Sequence, residues 1–279
     1  MRVFDLDDPQ SWHSDYASLL NSAEVRAIID EVVDPTDESP GKWSQFERCE
    51  SVTDHDVSIV HKRCHQILHS NYTHVVAVHA CRINDPEDYT THGILPSKPN
   101  DVVQRLIDCA PEYREQILNA AANCAKKGYI ETIEGYVWYL LSEKFALKTK
   151  TAYALGSEYV RHILCEIGSE LLYRKYESTG TPSLIRCRIP IEWLAEAGLW
   201  AYHLPIAIFP LISMMRQKIN PTFEIDDVAD GCLKTHHVVS PDLFDQFIDM
   251  SAVMDGVVSP YKQQAVSLIN TNDQEALLS

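Results

Sequence analysis

The chain has 279 residues, 45% of them hydrophobic, which is ample for one large packed domain or a domain with an appendage. Its 24 basic and 40 acidic residues leave a formal charge of −16 at pH 7, a surface that repels phosphate backbones and disfavours a nucleic-acid partner. No apolar stretch has the length of a membrane span, and the opening MRVFDLDDPQ lacks the apolar centre of a signal peptide. The eight cysteines stand singly with no CxxC, the pattern of reduced thiols in a cytoplasmic protein rather than a disulfide framework.

Residues 1–72 read as a mainly helical, acidic N-terminal segment. A helix is expected from Asn21-Ser-Ala-Glu through Val33, with Ser22 as its cap. Asp34–Lys42 holds two prolines and a glycine and reads as a loop. Asp56–Ser70 is expected to be a second helix, with Val57, Val60, Cys64, Ile67 and Leu68 on its apolar face. His61, His65 and His69 follow one another at four-residue spacing on that helix, as metal ligands can. They lie beside the apolar stripe with no carboxylate at matching spacing, so a solvated face is the expectation and no metal is assigned.

Thr73–Pro96 is the most informative stretch. Val75–Val78 reads as a strand buried on both faces, ending on His79 with Arg82 three residues on. A loop is then expected to run through Tyr89 to the exit Gly93-Ile-Leu-Pro. Polar groups at the end of a buried strand are well placed for binding, because rigid backbone there meets a loop. A helical insertion over 101–128 follows, in two pieces: one from Asn100-Asp101 to Cys109, another from Pro111 to Lys127, stopped by Gly128. Gly135–Ser142, GYVWYLLS, reads as a strand. Lys144–Lys150 is the densest basic run, and its three lysines read as a solvated face. Tyr153-Ala-Leu-Gly-Ser-Glu158 leads into a helix ending at Gly168, where Ser157 can cap and Glu158 sits at the positive end of the dipole. Thr181–Trp193 is a further strand candidate, Leu204–Met215 an irregular apolar segment, and Gly231–Asp249 reads as strand, turn and short helix. The strands outnumber the crossovers that a doubly wound sheet needs, so a mixed α+β core over 73–250, followed by a tail over 251–279, is the expected class.

His79, Gly93-Ile94, GYVWYLLS with Tyr153, LIRCRIP and LKTHHVVSPDLF come in an order that resembles the ADP-ribosyltransferase fold, in the branch of the poly-ADP-ribose polymerases and RNA 2′-phosphotransferases. The resemblance implies a mixed split-sheet core that binds NAD as substrate and breaks its nicotinamide glycosidic bond. It implies that His79 hydrogen-bonds ribose hydroxyls and that Tyr153 stacks on nicotinamide. The same site would include Arg82, Tyr89, Gly93, Tyr139 and Ser142 as cofactor-binding residues. The catalytic carboxylate of the family stands on a late strand, where this chain has Cys232, Leu233 and Lys234. Glu158, with His79, is therefore the expected catalytic pair. Asp230 is the other carboxylate that could serve, and without either the chemistry would be lost.

Three outcomes remain open at this point. The ADP-ribose could pass to an unknown protein or nucleic-acid acceptor, water could take it in an NAD glycohydrolase, or the chain could bind a nucleotide or a partner without turnover. A metal hydrolase built on the histidine helix and His236-His237 is a further alternative.

Overall fold

The computed structural model describes residues 2–25, 27, 57–148, 155–195 and 232–251. Over these the chain is mixed helix and sheet, in agreement with the α+β expectation. It divides into two compact units that interleave in sequence. Unit 1 comprises Met1–Val78, Trp138–Lys148 and Arg186–His236, and unit 2 comprises His79–Val137, Thr149–Ile185 and His237–Ser279.

Strand β1 is Val3–Phe4 and α1 is Ser14–Leu20. The next helix begins at Ala23, and the Ser22 hydroxyl accepts the Val25 N–H at 3.3 Å, as a cap should. Helix α2, Val57–Asn71, buries Cys64 and Leu68. In unit 1 an aromatic cluster ties these pieces together: the Phe4 ring lies edge-on to Tyr16 at 5.3 Å and to Tyr72 at 5.4 Å.

Strand β2 is His74–Ile83, with Val75–Val78 all buried as an apolar run requires. It does not stop at His79. It continues through Arg82, so the expected strand end lies inside the strand, because Cys81 and Ile83 supply two more buried positions. The segment read as a loop after it is helical: α3, Pro86–His92, starts on Asp85, whose side chain accepts the Glu87 N–H at 2.9 Å, and ends on Gly93. Helices α4 (Pro99–Cys109) and α5 (Arg114–Lys126) match the expected insertion, with Pro111–Tyr113 forming a short 3-10 turn between them. Gly128, with φ +79°, precedes α6, Tyr129–Ile133.

Strand β3 is Val137–Leu140, followed by α7, Glu143–Lys148. Helix α8, Glu158–Ile167, ends on Gly168 as the sequence indicates, and α9, Glu170–Glu177, follows from a Ser169 cap. Strand β4 is Thr181–Pro190 and α10 is Ile191–Ala195. The closing segment differs from expectation. After β5, Cys232–Thr235, a 3-10 turn at Pro241–Leu243 leads into β6, Phe244–Asp249, a strand where a short helix was expected.

The strands order β5-β3-β2-β4-β6, with β1 added to β2 in parallel. Strands β2 and β3 are antiparallel, with Val78 opposite Leu140. In unit 2 the helices build a layer of their own: Val102, Leu106 and Ile107 of α4, Ile117, Ala120 and Cys124 of α5, Tyr159, Val160, Ile163 and Leu164 of α8, and Leu172 and Tyr173 of α9 share one apolar cluster.

Candidate functional site

Of the residues that the resemblance assigns to the NAD site, His79, Arg82, Tyr89, Gly93 and Glu158 lie in unit 2 and Tyr139 and Ser142 in unit 1; Tyr153, Asp230 and the Leu204–Met215 segment lie outside the described residues. In unit 2 the second half of β2 is the common element. His79 is half-buried there, next to the fully apolar Val75–Val78 run.

Gly156 brings the Gly-Ser-Glu turn onto this strand. Its φ is +70°, and a Cβ at that position would stand 2.5 Å from the Arg82 amide nitrogen and 2.6 Å from the Cys81 carbonyl carbon. Only a residue without a side chain allows that approach. Ser157 then takes the N-cap position of α8, but its hydroxyl makes no capping bond, contrary to the expectation for it. Glu158 opens the helix with its side chain 74% exposed, its Oε1 lying 3.7 Å from Nε2 of His162 one turn on. His162 in turn stacks on Tyr129, with ring centroids 4.0 Å apart.

Arg82 is spent on the protein's own backbone. Its Nε donates to the Thr179 carbonyl at 2.8 Å, and its Nη2 donates to Gly180 at 2.9 Å and to Glu177. These carbonyls end α9 or follow it, and helix ends leave such acceptors without intrahelical donors. The planar fork of arginine suits several acceptors at once. The guanidinium also lies 6.0 Å from the centre of the Tyr176 ring.

Tyr89 sits on α3 with its phenol beside the Cys81 side chain. Burial pushes the Tyr89 phenol above its ordinary range and the Cys81 thiol up to about 12, so both stay protonated at neutral pH. Gly93, at φ +74°, donates its N–H to the Tyr89 carbonyl at 2.9 Å and packs against the Val239 carbonyl, which a Cβ would meet at 2.2 Å. Ile94 and Val239 then exchange backbone hydrogen bonds of 2.9 and 3.0 Å. Beside this bridge an open depression of about 330 Å³ is lined by Leu95–Lys98, Glu134, Gly135 and Val238. The Gly-Ile-Leu-Pro exit was its signal in the sequence.

Tyr139 and Ser142 belong to unit 1. Tyr139 is 1% exposed, and burial, with Cys187 nearby, raises its phenol well above the ordinary value. Ser142 is fully buried and donates to Asp7 Oδ1 at 2.6 Å. The other Asp7 oxygen accepts the Glu143 and Lys144 N–H groups at 2.8 and 3.3 Å, capping α7, while burial raises the Asp7 carboxyl. Next to it Arg186 reaches Asp5 at 2.6 Å and Glu143 at 2.9 Å. Sequence reading missed this network, since its members lie up to 181 positions apart.

On α2 the His65 and His69 rings approach to 4.0 Å between centroids. Among the described residues, no three His, Cys, Asp or Glu side chains are grouped to hold a metal ion, and no helix is long and apolar enough to cross a membrane. No family model, curated protein or solved structure matches the chain.

Proposed function

We propose that the protein binds NAD on unit 2 and cleaves its nicotinamide glycosidic bond, passing ADP-ribose to an acceptor. The observation that carries this reading is the approach of Gly156 to β2 at Cys81 and Arg82, which draws the Gly-Ser-Glu turn onto the strand that bears His79. Two segments 77 residues apart in sequence, His79 and Gly156, then belong to one neighbourhood of unit 2. In this reading His79 holds ribose hydroxyls. The Glu158 carboxylate stabilises the positive charge that develops at the anomeric carbon as nicotinamide departs, a contribution of electrostatic preorganisation. A nucleophile of the acceptor, or water, closes the reaction. Arg82 has a supporting part: it fixes the turn after α9 rather than offering its fork to a pyrophosphate.

One observation favours a second reading, binding without turnover. Glu158 is 74% exposed, and a charge in water stabilises a nearby cation far less than one in a dry site. Two measurements separate the readings. Added NAD should raise the melting temperature of the full chain by mass action. Nicotinamide release should then fall about a hundred- to a thousand-fold in Glu158→Gln, the typical loss for one electrostatic element, with the NAD-induced melting shift retained. A shift without nicotinamide release, from wild type with or without protein acceptors, selects binding alone; no shift at all removes both readings.

A further inference from the structure

We propose that His162 is a positioning residue that gates Glu158: its ring, clamped on Tyr129, pairs with the carboxylate in acid and withdraws it from the proposed reaction. This regulation rests on the reading of Glu158 as the group that stabilises the developing positive charge. The two residues stand one turn apart on α8, with Nε2 of His162 3.7 Å from Oε1 of Glu158. That separation is too long for a hydrogen bond from a neutral ring, yet it is within ion-pair range for a protonated one. The pair therefore switches on when His162 takes a proton.

The imidazole is held where it can do this. Tyr129, the first residue of α6, packs against the apolar cluster of unit 2. Its ring stacks on His162 with centroids 4.0 Å apart and planes 9° apart. The His162 side chain is 26% exposed against 74% for Glu158, so packing fixes the imidazole far more than the carboxylate. An exposed pair is weak on its own. A substrate that covers Glu158 removes water from the pair, and opposite charges attract more strongly as their surroundings dry. Burial has the largest influence on the imidazole and lowers it; Glu158 raises it, while Arg161 on α8 and Lys127 at the end of α5 lower it. Lys127 is itself paired with Glu166 at 2.6 Å. The ring is therefore neutral at neutral pH and leaves Glu158 its charge. As pH falls below the ordinary imidazole value of about 6.5, the ring gains a proton. A cation there offsets the field that the positive charge at the anomeric carbon needs.

The test follows kcat/KM for nicotinamide release from NAD by the full chain between about pH 5 and 8, beside an NMR titration of the His162 ring. The acid limb of the profile should share its midpoint with that ring, since kcat/KM reports groups of the free enzyme. His162→Phe keeps an aromatic ring on Tyr129 and removes the proton site; its missing resonance also assigns the NMR signal. In that variant the ratio of kcat/KM at about pH 5 to that at about pH 7.5 should rise about threefold or more. Glu158→Gln should move the His162 midpoint to lower pH, because the imidazolium loses its carboxylate. The melting temperature checks folding at each pH, and if His162→Phe does not fold, His162→Gln takes its place with the same expectation. An acid limb that survives in the folded variant belongs to another group, such as His79, and overturns the proposal. So does a His162 midpoint that Glu158→Gln leaves in place. A wild type that releases no nicotinamide at any pH removes the NAD reading and the gate with it, whereas release with an unmoved limb removes the gate alone.

Discussion

Gly156 and Gly128 both hold positive φ, at +70° and +79°, yet their surroundings differ. Around Gly128 a Cβ would meet nothing within 4 Å, so Gly128→Ala should cost only the left-handed backbone penalty of about 1–2 kcal/mol. At Gly156 the added methyl would collide with the backbone of Cys81 and Arg82, which cannot move aside as a flexible side chain would. Gly156→Ala should therefore lose more than Gly128→Ala, by about 1–3 kcal/mol of overpacking, read as the difference in urea unfolding free energies. Equal losses would mean that the turn does not press on β2, and the neighbourhood proposed for NAD would lose its main support. The sequence could mark Gly156 as a turn glycine, but not the strand it touches. Arg82 is a sharper case: its acceptor at Thr179 lies 97 positions away and is a carbonyl that any residue could supply. No residue type signals such a partner, so an arginine just beyond a buried strand reads as a cofactor-binding residue.

Among the elements, α8 is held by a stripe of Tyr159, Val160, Ile163 and Leu164 facing α4, α5 and α9. Ile163 is fully buried, so Ile163→Ala removes three carbons from a packed site and should cost about 2–5 kcal/mol. Leu171 on α9 is 59% exposed, and Leu171→Ala should stay within about 0.5 kcal/mol of wild type. Chemical denaturation of both variants checks the orientation of these two helices at once. The stripe of α8 was readable because its apolar residues recur at helical spacing and Gly168 closes it. Helix α9 was not, since it buries only the adjacent Leu172 and Tyr173, too few to display a period. Strand β6 failed for the converse reason. Phe244 and Phe247 stand three apart, which mimics a helix face, and its burial does not alternate because it lies at an edge. The length of β2 was hidden by polarity: His79 and Arg82 interrupt the apolar run, although the backbone stays extended to Ile83.

For the molecule as a whole, pH dependence sets two electrostatic effects against each other. Burial lowers the imidazoles of His65, His69, His74 and His162 below their ordinary value, with His65 adding to the effect at His69 and Arg188 at His74. Glu192 opposes the shift at His69 and His74, as Glu158 does at His162. A histidine with a lowered folded value binds its proton more readily when unfolded. Below the ordinary value of about 6.5 the unfolded chain therefore takes up protons that the folded chain resists, and stability falls as pH drops through the window beneath 6.5. The formal charge of −16 works the other way, because each proton bound by the folded chain relieves self-repulsion. Salt separates the two, since it screens exposed charges over about 8–10 Å and leaves burial largely untouched. The urea midpoint should thus fall between pH 7.5 and 5.5, and fall further in about 0.5 M NaCl than in dilute buffer. Replacing His65 and His69 together by Gln should reduce that fall, since it removes two of the four groups. A midpoint that rises on acidification at high salt would show that the four imidazoles are as accessible folded as unfolded, against the packing of α2 and α8.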